Sequence, residues 1–503
     1  MKNIDSRISL FAVAGIGILV SFYAGNFIAD ENYAPLGTLI GVLIAIYIIF
    51  GMGSSIYLLI PICWGLTGQI SVLPLPFDVR ELVIIITSIF YVSGIIFKSN
   101  KVKIPFEKVD LWIRINIIYL IITLLRNPVG VAAFGDSTRV GGKPYLDVAL
   151  GFMVYLMMAS FNVTQRTSSK LPRYVLLISI FSAIAGGIGL FLPDLGTVLG
   201  KFYSEFSGGL DDNINDNLVA GETRFGFLTG FGEVLVLYII SRISPSELIK
   251  PENLKELLSY FTGFIMIFLS GFRNAFVLGV LSTYISTLFR EKIEGFFKIS
   301  FIMIFIVLSG IVISFTSVKL PLTFQRTLSF LPGNWDSVAV QDADDSTQWR
   351  IEMWQLALSS DKYIHNKILG DGFGYLRSDY EREMDIVTGK AQLSQLDAKQ
   401  EIFLLDGDYH SGPVGSIRFV GIVGLLLFLP LLFHMLLMAV RTIKKATGSG
   451  FEFCAYFYCI PIILAPFVFL FVFGDYRKDL VTTLFSVGMM KMIQRSIRLS
   501  MIK

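Results

Sequence analysis

The feature that most limits how this chain folds is a succession of long apolar runs separated by short charged stretches. The first, Ile8 to Ala29, contains no Asp, Glu, Lys or Arg over the span of about 17 to 25 residues that carries a helix across a bilayer core. Further runs begin near Leu82, Leu111, Leu146, Tyr174, Phe225, Leu257, Ala275, Ile299, Ile417, Phe453 and Leu480. The stretch from Leu36 to Leu73 is long enough for two short helices, broken around Gly51, Gly53 and Ser54. These runs predict an all-α integral membrane protein, a polytopic bundle of about 12 to 14 transmembrane helices forming one membrane domain over residues 1–503. Composition agrees, since 54% of residues are hydrophobic and 16% charged, more apolar material than one water-soluble core of this length uses.

Lys2 and Arg7 precede the first run as they would in a signal peptide, but its length and the spans that follow predict an uncleaved first helix. Orientation follows from the basic residues that are retained on the cytoplasmic side during insertion. Lys98 to Lys108, Arg166 to Arg173, Arg290 to Lys298 and Arg441 to Lys445 fall on one side, with both termini. The opposite, extracytoplasmic side carries Arg126 to Tyr145, the acidic stretch Asp194 to Thr223, and a polar segment from Ser317 to Pro413. Residues 319–413 are thus a large loop inserted between spans, and Asp344, Asp345 and Ser346 lead into a predicted helix over 347–360. Cys63, Cys454 and Cys459 sit in apolar runs and read as packing residues rather than metal ligands or disulfide partners. A net charge of +3, dispersed among hydrophobic segments, argues against a nucleic-acid partner.

Basic residues are expected to be depleted outside, yet Arg126, Arg139, Lys143, Arg224, Arg273, Arg326 and Arg350 all fall there. Guanidinium forks bind phosphate, so a lipid-linked phosphate or pyrophosphate is one explanation. Pairing with acids such as Asp211, Asp212 and Asp216, or snorkelling to lipid headgroups, is the other. Arg273 interrupts two apolar runs in SGFRNAF, which places it in a tight turn at the membrane boundary. Glu233 lies about 13 Å deeper than Arg224 at the helical rise, and reads as a proton-handling or hydroxyl-binding group or as half of an interhelical pair. Arg350 and Trp354 share one helix face. His410 lies just before a span, where a base of ordinary pKa suits proton abstraction from a sugar hydroxyl, with Asp406 or Asp408 to orient its ring. His365 is the rival base, and His434 reads as packing. No P-loop, HExxH, CxxC or GxSxG is present, and GDGFG at Gly370–Gly374 reads as a turn.

In order and spacing, ETRFGFLTGFGE, SGFRNAF, WRIEMWQLAL, ILGDGFG and YHSGPVGSIRFVGIVG resemble the motifs of the O-antigen ligase and Wzy-type polysaccharide polymerase superfamily. The likeness runs from Arg224 to Gly424, and beyond it only hydropathy matches. It implies a GT-C-like helical membrane fold in the bacterial cytoplasmic membrane and a donor glycan on undecaprenyl pyrophosphate. It also implies Arg224, Arg273 and Arg350 at the pyrophosphate or nearby sugar, and His410 as general base. Arg326 joins them as an outer-face arginine, and neither metal nor organic cofactor is expected. Two departures stand out: the stretch from Gly374 to His410 is longer and more charged than usual, and Ser411 stands where the family commonly has Asn. The resemblance implies a glycosyltransferase acting on lipid-linked repeat units among membrane lipids, and an external loop large enough to hold two glycans favours an envelope polysaccharide polymerase, with a chain-length regulator protein as a partner. The alternatives are an O-antigen ligase that transfers glycan to lipid A core, a transporter or flippase of a lipid-linked sugar, and a scaffold in an envelope assembly.

Overall fold

The structure is a computed structural model that describes residues 53–71, 77–96, 104–128, 141–207, 218–219, 222–223, 225–315, 320–374, 377–391, 393 and 395–502. The run from Ile8 to Ala29, the start of the Leu36 to Leu73 pair, Arg139, Arg224, Asp211, Asp212 and Asp216 lie outside the described residues. A 3-10 turn, Gly53–Leu58, leads into α1 (Leu59–Cys63). There follow α2 (Val79–Ile96), α3 (Lys108–Arg126), α4 (Gly142–Ser160), α5 (Gln165–Phe191) and the short α6 (Pro193–Gly200). A two-residue hairpin, β1 (Leu218–Val219) against β2 (Glu222–Thr223), is the one departure from helix among the described elements. Then come α7 (Leu228–Arg242), α8 (Leu254–Ser270) and α9 (Arg273–Ser314). Four helices occupy the large loop: α10 (Leu322–Leu328), α11 (Ser337–Ser359), α12 (Arg377–Val387) and α13 (Gln395–Asp406). The chain ends in α14 (Gly412–Ala446), α15 (Glu452–Phe467), continued by a π turn over Val468–Val472, and α16 (Tyr476–Ser500).

Among the described residues four helices are long and apolar enough to cross a membrane: Val79–Ile96, Gln165–Phe191, Gly412–Ala446 and Glu452–Val472. In the first two only 17% of the apolar window is buried inside the protein, and Ile89, Ile96, Leu177 and Ile184 are more than half exposed. Faces of that kind are stable only where lipid replaces water, because the helix has satisfied its own backbone and has no polar surface to offer. The protein core lies between α14, α15 and α16, joined by α3 and α4. Phe428, Leu431 and Met435 meet Tyr456, Cys459 and Ile460 there, and Leu480, Leu484 and Val487 close it. At the α4–α16 crossing Gly488 allows a close approach, since a Cβ on it would lie 3.0 Å from Met158 Cβ and 3.2 Å from Tyr155 Cα, tighter than ordinary contact. Inside the same crossing Lys491 Nζ donates to Asp110 Oδ2 and to the Pro105 carbonyl, both at 2.8 Å, and Tyr155 donates to Asp110 Oδ1 at 2.9 Å. Cys454 and Cys459 are buried packing residues, as expected, and His434 Nδ1 bonds the Pro430 carbonyl in its own helix at 2.8 Å.

Two expectations are revised. The loop helix begins not at 347 but at Ser337, capped by Asp336, whose Oδ1 accepts from Val338 N at 2.9 Å. Asp342, Asp344 and Asp345 therefore lie inside it, in its second and third turns rather than at its start. The runs beginning at Ala275 and Ile299 form two helices that meet without a loop at Lys292, the residue whose left-handed φ of 57° makes the bend.

The loop helices share a small core of their own, built from Met353, Ala357, Tyr363, Ile364, Leu404, Leu405 and Tyr409. The loop is locked onto the bundle at a break in α14, where Gly421 takes φ 69° and ψ 177°. GDGFG docks against this break, with Asp371 N donating to Arg418 O at 2.9 Å and Gly372 N to Phe419 O at 2.8 Å. Main chains touch here, since a Cβ on Gly370 would lie 2.4 Å from Gly421 N. The glycine turn expected from sequence is thus the anchor between loop and membrane helix, and its side of the bundle is hereafter the loop face.

Candidate functional site

Five residues connect α13 to α14, and the tightness of that link sets the position of His410. Gly407 leaves α13 in a left-handed conformation, and Asp408 N donates back to Phe403 O at 3.0 Å. Trp354 Nε1 donates to the Tyr409 carbonyl at 2.6 Å, and Ser411 then caps α14. His410 itself is held at φ 52°, a conformation that a non-glycine residue adopts at a cost of about 1–3 kcal/mol and keeps only where its neighbours enforce it. Its ring stands edge-on to Phe403 and Phe473, each at 5.2 Å between centroids, and to Trp349 at 6.2 Å. Nδ1 lies 3.0 Å from Asp408 Oδ1. With the proton on Nδ1 shared with that carboxylate, Nε2 presents the free lone pair of a base. Burial alone would raise the Asp408 pKa, but the His410 bond and charge, with Arg477 and Lys478, bring it down to about 2.

Arg350 follows Trp349 on α11, so the helix that sets one wall of the histidine box also carries this guanidinium. Gly271, left-handed at φ 71°, ends α8, and α9 starts at Arg273. This is the tight turn predicted from SGFRNAF. Burial first, and then the like charge of Arg273, depress the Arg350 pKa below its ordinary value, which puts the two guanidiniums within electrostatic reach of each other. Arg326, on α10, is the most enclosed of the arginines expected at the site, 7% exposed. Arg224 is outside the described residues.

Other outer-face candidates are committed to protein partners. Arg126 donates to Leu369 O at 2.9 Å and to Gly370 O, holding the glycine turn against α3. Lys143 pairs with Glu81. His365 sits 3.6 Å from Asp371 Oδ2 and shares that carboxylate with Arg418, whose Nη1 reaches it at 2.7 Å. The rival histidine therefore belongs to the anchor of the loop rather than to the aromatic box. Glu233 faces a cavity of about 190 Å³ whose walls include Leu237, Leu278, Ser282 and Pro461, and it has no ion-pair partner among the described residues. The interhelical pair considered for it is not formed there.

Sequence reasoning missed Arg477 and Lys478. Arg477 is buried, paired with Asp475 at 2.8 Å and stacked over Phe419 at 4.4 Å, and Lys478 is exposed beside it. Both sit at the loop-face end of α16, where a basic pair breaks the same insertion rule that drew attention to Arg273. They border a cavity of about 630 Å³ that also reaches Arg80, Glu81, Lys143 and Asp147. Among the described residues no group of three or more His, Cys, Asp and Glu side chains is arranged to hold a metal ion. No protein-family model matches this chain, and no curated protein matches it in sequence.

Proposed function

We propose that the protein is a glycosyltransferase of the bacterial cytoplasmic membrane that polymerises envelope polysaccharide at its extracytoplasmic face. The observation that carries this reading is the Asp408-oriented His410, boxed on one side by Trp349, whose neighbour on α11 is the half-buried Arg350. In this reading Arg350 and Arg273 are the cations offered to a multiply charged anion, and a lipid-linked pyrophosphate supplies one at the membrane surface. In the reaction an acceptor hydroxyl oxygen attacks the anomeric carbon of the donor glycan. The bond from that carbon to the pyrophosphate breaks, and its electron pair leaves with undecaprenyl pyrophosphate. His410 Nε2 takes the hydroxyl proton and later releases it to water. Arg273 and Arg350 stabilise the charge that grows on the leaving group.

The wider architecture behind this reading is a bundle of about 12 to 14 spans, with both termini cytoplasmic and residues 319–413 outside. The same site chemistry serves a ligase if lipid A core is the acceptor, and a deletion strain separates the two. Loss of this protein is expected to leave single repeat units, on lipid carrier or core, with no ladder of longer chains. Free lipid-linked polymer in that strain would assign the protein as a ligase. An unchanged ladder would refute transfer altogether.

A further inference from the structure

The 630 Å³ cavity falls within the range of about 300 to 1,000 Å³ typical of ligand clefts, yet the transfer chemistry above leaves it unused. Its walls are well fixed. The segment carrying Thr67 and Gln69 is bound to Ser204 through Gln69 N–Ser204 Oγ at 2.8 Å and Ser204 N–Gln69 O at 2.9 Å. Gln69 also bridges Asp78 in antiparallel register, and Arg80 N donates to Leu66 O at 3.3 Å. Charges in the walls alternate in sign: Arg80 pairs with Asp78 at 3.1 Å, and Lys143 pairs with Glu81 and lies 4.0 Å from Asp147.

This alternation selects the class of ligand. A phosphate entering the cleft would meet Asp78, Glu81 and Asp147, and a free cation would meet Arg80, Lys143, Arg477 and Lys478. A vicinal diol donates and accepts at adjacent oxygens, so it matches neighbouring carboxylate acceptors and guanidinium or ammonium donors, with the Gln69 amide and the Thr67 and Thr482 hydroxyls adding both. We propose that this cleft is a carbohydrate subsite that holds the acceptor glycan beside His410. The link is the start of α16: Arg477 lines the cleft and donates from Nη1 to the Asp406 carbonyl at 3.5 Å, at the foot of the link that carries His410, and Phe473, just before that helix, stands 5.2 Å from the His410 ring. Arg350 follows Trp349, whose ring stands 6.2 Å from the same histidine. His410 thus has a phosphate-binding flank and a sugar-binding flank, and this assignment rests on the transfer reading above.

The test uses the full-length protein in nanodiscs. The donor is the lipid-linked repeat unit extracted from a deletion strain, and the acceptor is the free oligosaccharide released from it by mild acid. Thr482 is exposed to the cleft, so Thr482→Trp narrows it without touching an ion pair, and Asp147→Asn removes one acceptor. Each variant is expected to raise the acceptor KM about tenfold, the loss of one or two hydrogen bonds, with the donor KM unchanged. An acceptor KM unchanged in both variants, or a donor KM rising in step, would overturn the subsite while leaving transfer intact. Calorimetric titration with the same oligosaccharide separates the two claims. Binding to wild type that both variants lose, without turnover, would sustain the cleft and remove the transfer reading, whereas no binding to wild type would remove the cleft.

Discussion

Lys491 and Arg350 are both basic residues drawn out of bulk water, and their surroundings are opposite in kind. Lys491 has its charge answered inside the bundle, by Asp110 and the Pro105 carbonyl, at a side-chain exposure of 2%. Arg350 is half-buried on the loop face, and the charge that bears on it is another cation, Arg273. The first arrangement is complete in the folded protein and serves the fold. The second carries a like charge among the influences on it, and in the proposed reading it gains when an anion arrives. Arg418 with Asp371 belongs with Lys491, and the oriented His410 belongs with Arg350.

Substitutions should separate the two sets by what they damage. The largest effect is expected from His410→Ala, a loss of about 10²- to 10⁴-fold in transfer rate with thermal stability retained, read by product formation and by melting in detergent. Arg273→Ala and Arg350→Ala should each cost about 10²- to 10³-fold in kcat, and Lys in place of Arg350 should restore little, because an ammonium lacks the planar fork. Lys491→Ala should invert this pattern, destabilising the fold by about 3–5 kcal/mol while the folded fraction keeps its specific activity. Removing both partners with Lys491→Met and Asp110→Leu should recover much of that loss, and if it does not, the pair does more than balance charge.

A smaller effect is expected where the two sets meet. Trp354→Phe deletes the bond to the Tyr409 carbonyl, costs about 1 kcal/mol, and should reduce kcat less than His410→Ala by loosening the link that aims the ring. The smallest effect is on pH dependence. Asp408 is held at about 2 against an ordinary value of 3.8, so its contribution to stability is complete above about pH 4 and lost as pH falls towards 2. Melting temperature across that window should fall more steeply for wild type than for Asp408→Asn.

Much of the helical order was legible because lipid-facing spans need long apolar runs, and no tertiary context shortens that requirement. The turn at Arg273 was legible for the same reason, as a charge with no loop to escape into. What the chain does with its loop was not. GDGFG reads as any glycine turn until its main chain is seen against the break at Gly421, and nothing local in the sequence marks that contact. The commitment of Arg126 to the Leu369 and Gly370 carbonyls is likewise non-local, so an insertion-rule violation alone does not separate an anion site from a structural clasp. Arg477 and Lys478 break the same rule at the start of the last helix, where a basic pair on the outer side is the signal that marks them. Asp408 rather than Asp406 orients His410 because Asp406 ends α13 and is 3% exposed, turned into the packing below the link.

The most direct test of the central claim is elongation by purified protein in detergent, given an undecaprenyl-pyrophosphate oligosaccharide, with wild type, His410→Ala and Arg350→Ala side by side. The proposed function predicts longer lipid-linked glycans and released undecaprenyl pyrophosphate from wild type, and neither product from the variants at matched folding. Equal elongation by all three would contradict the assignment of the site.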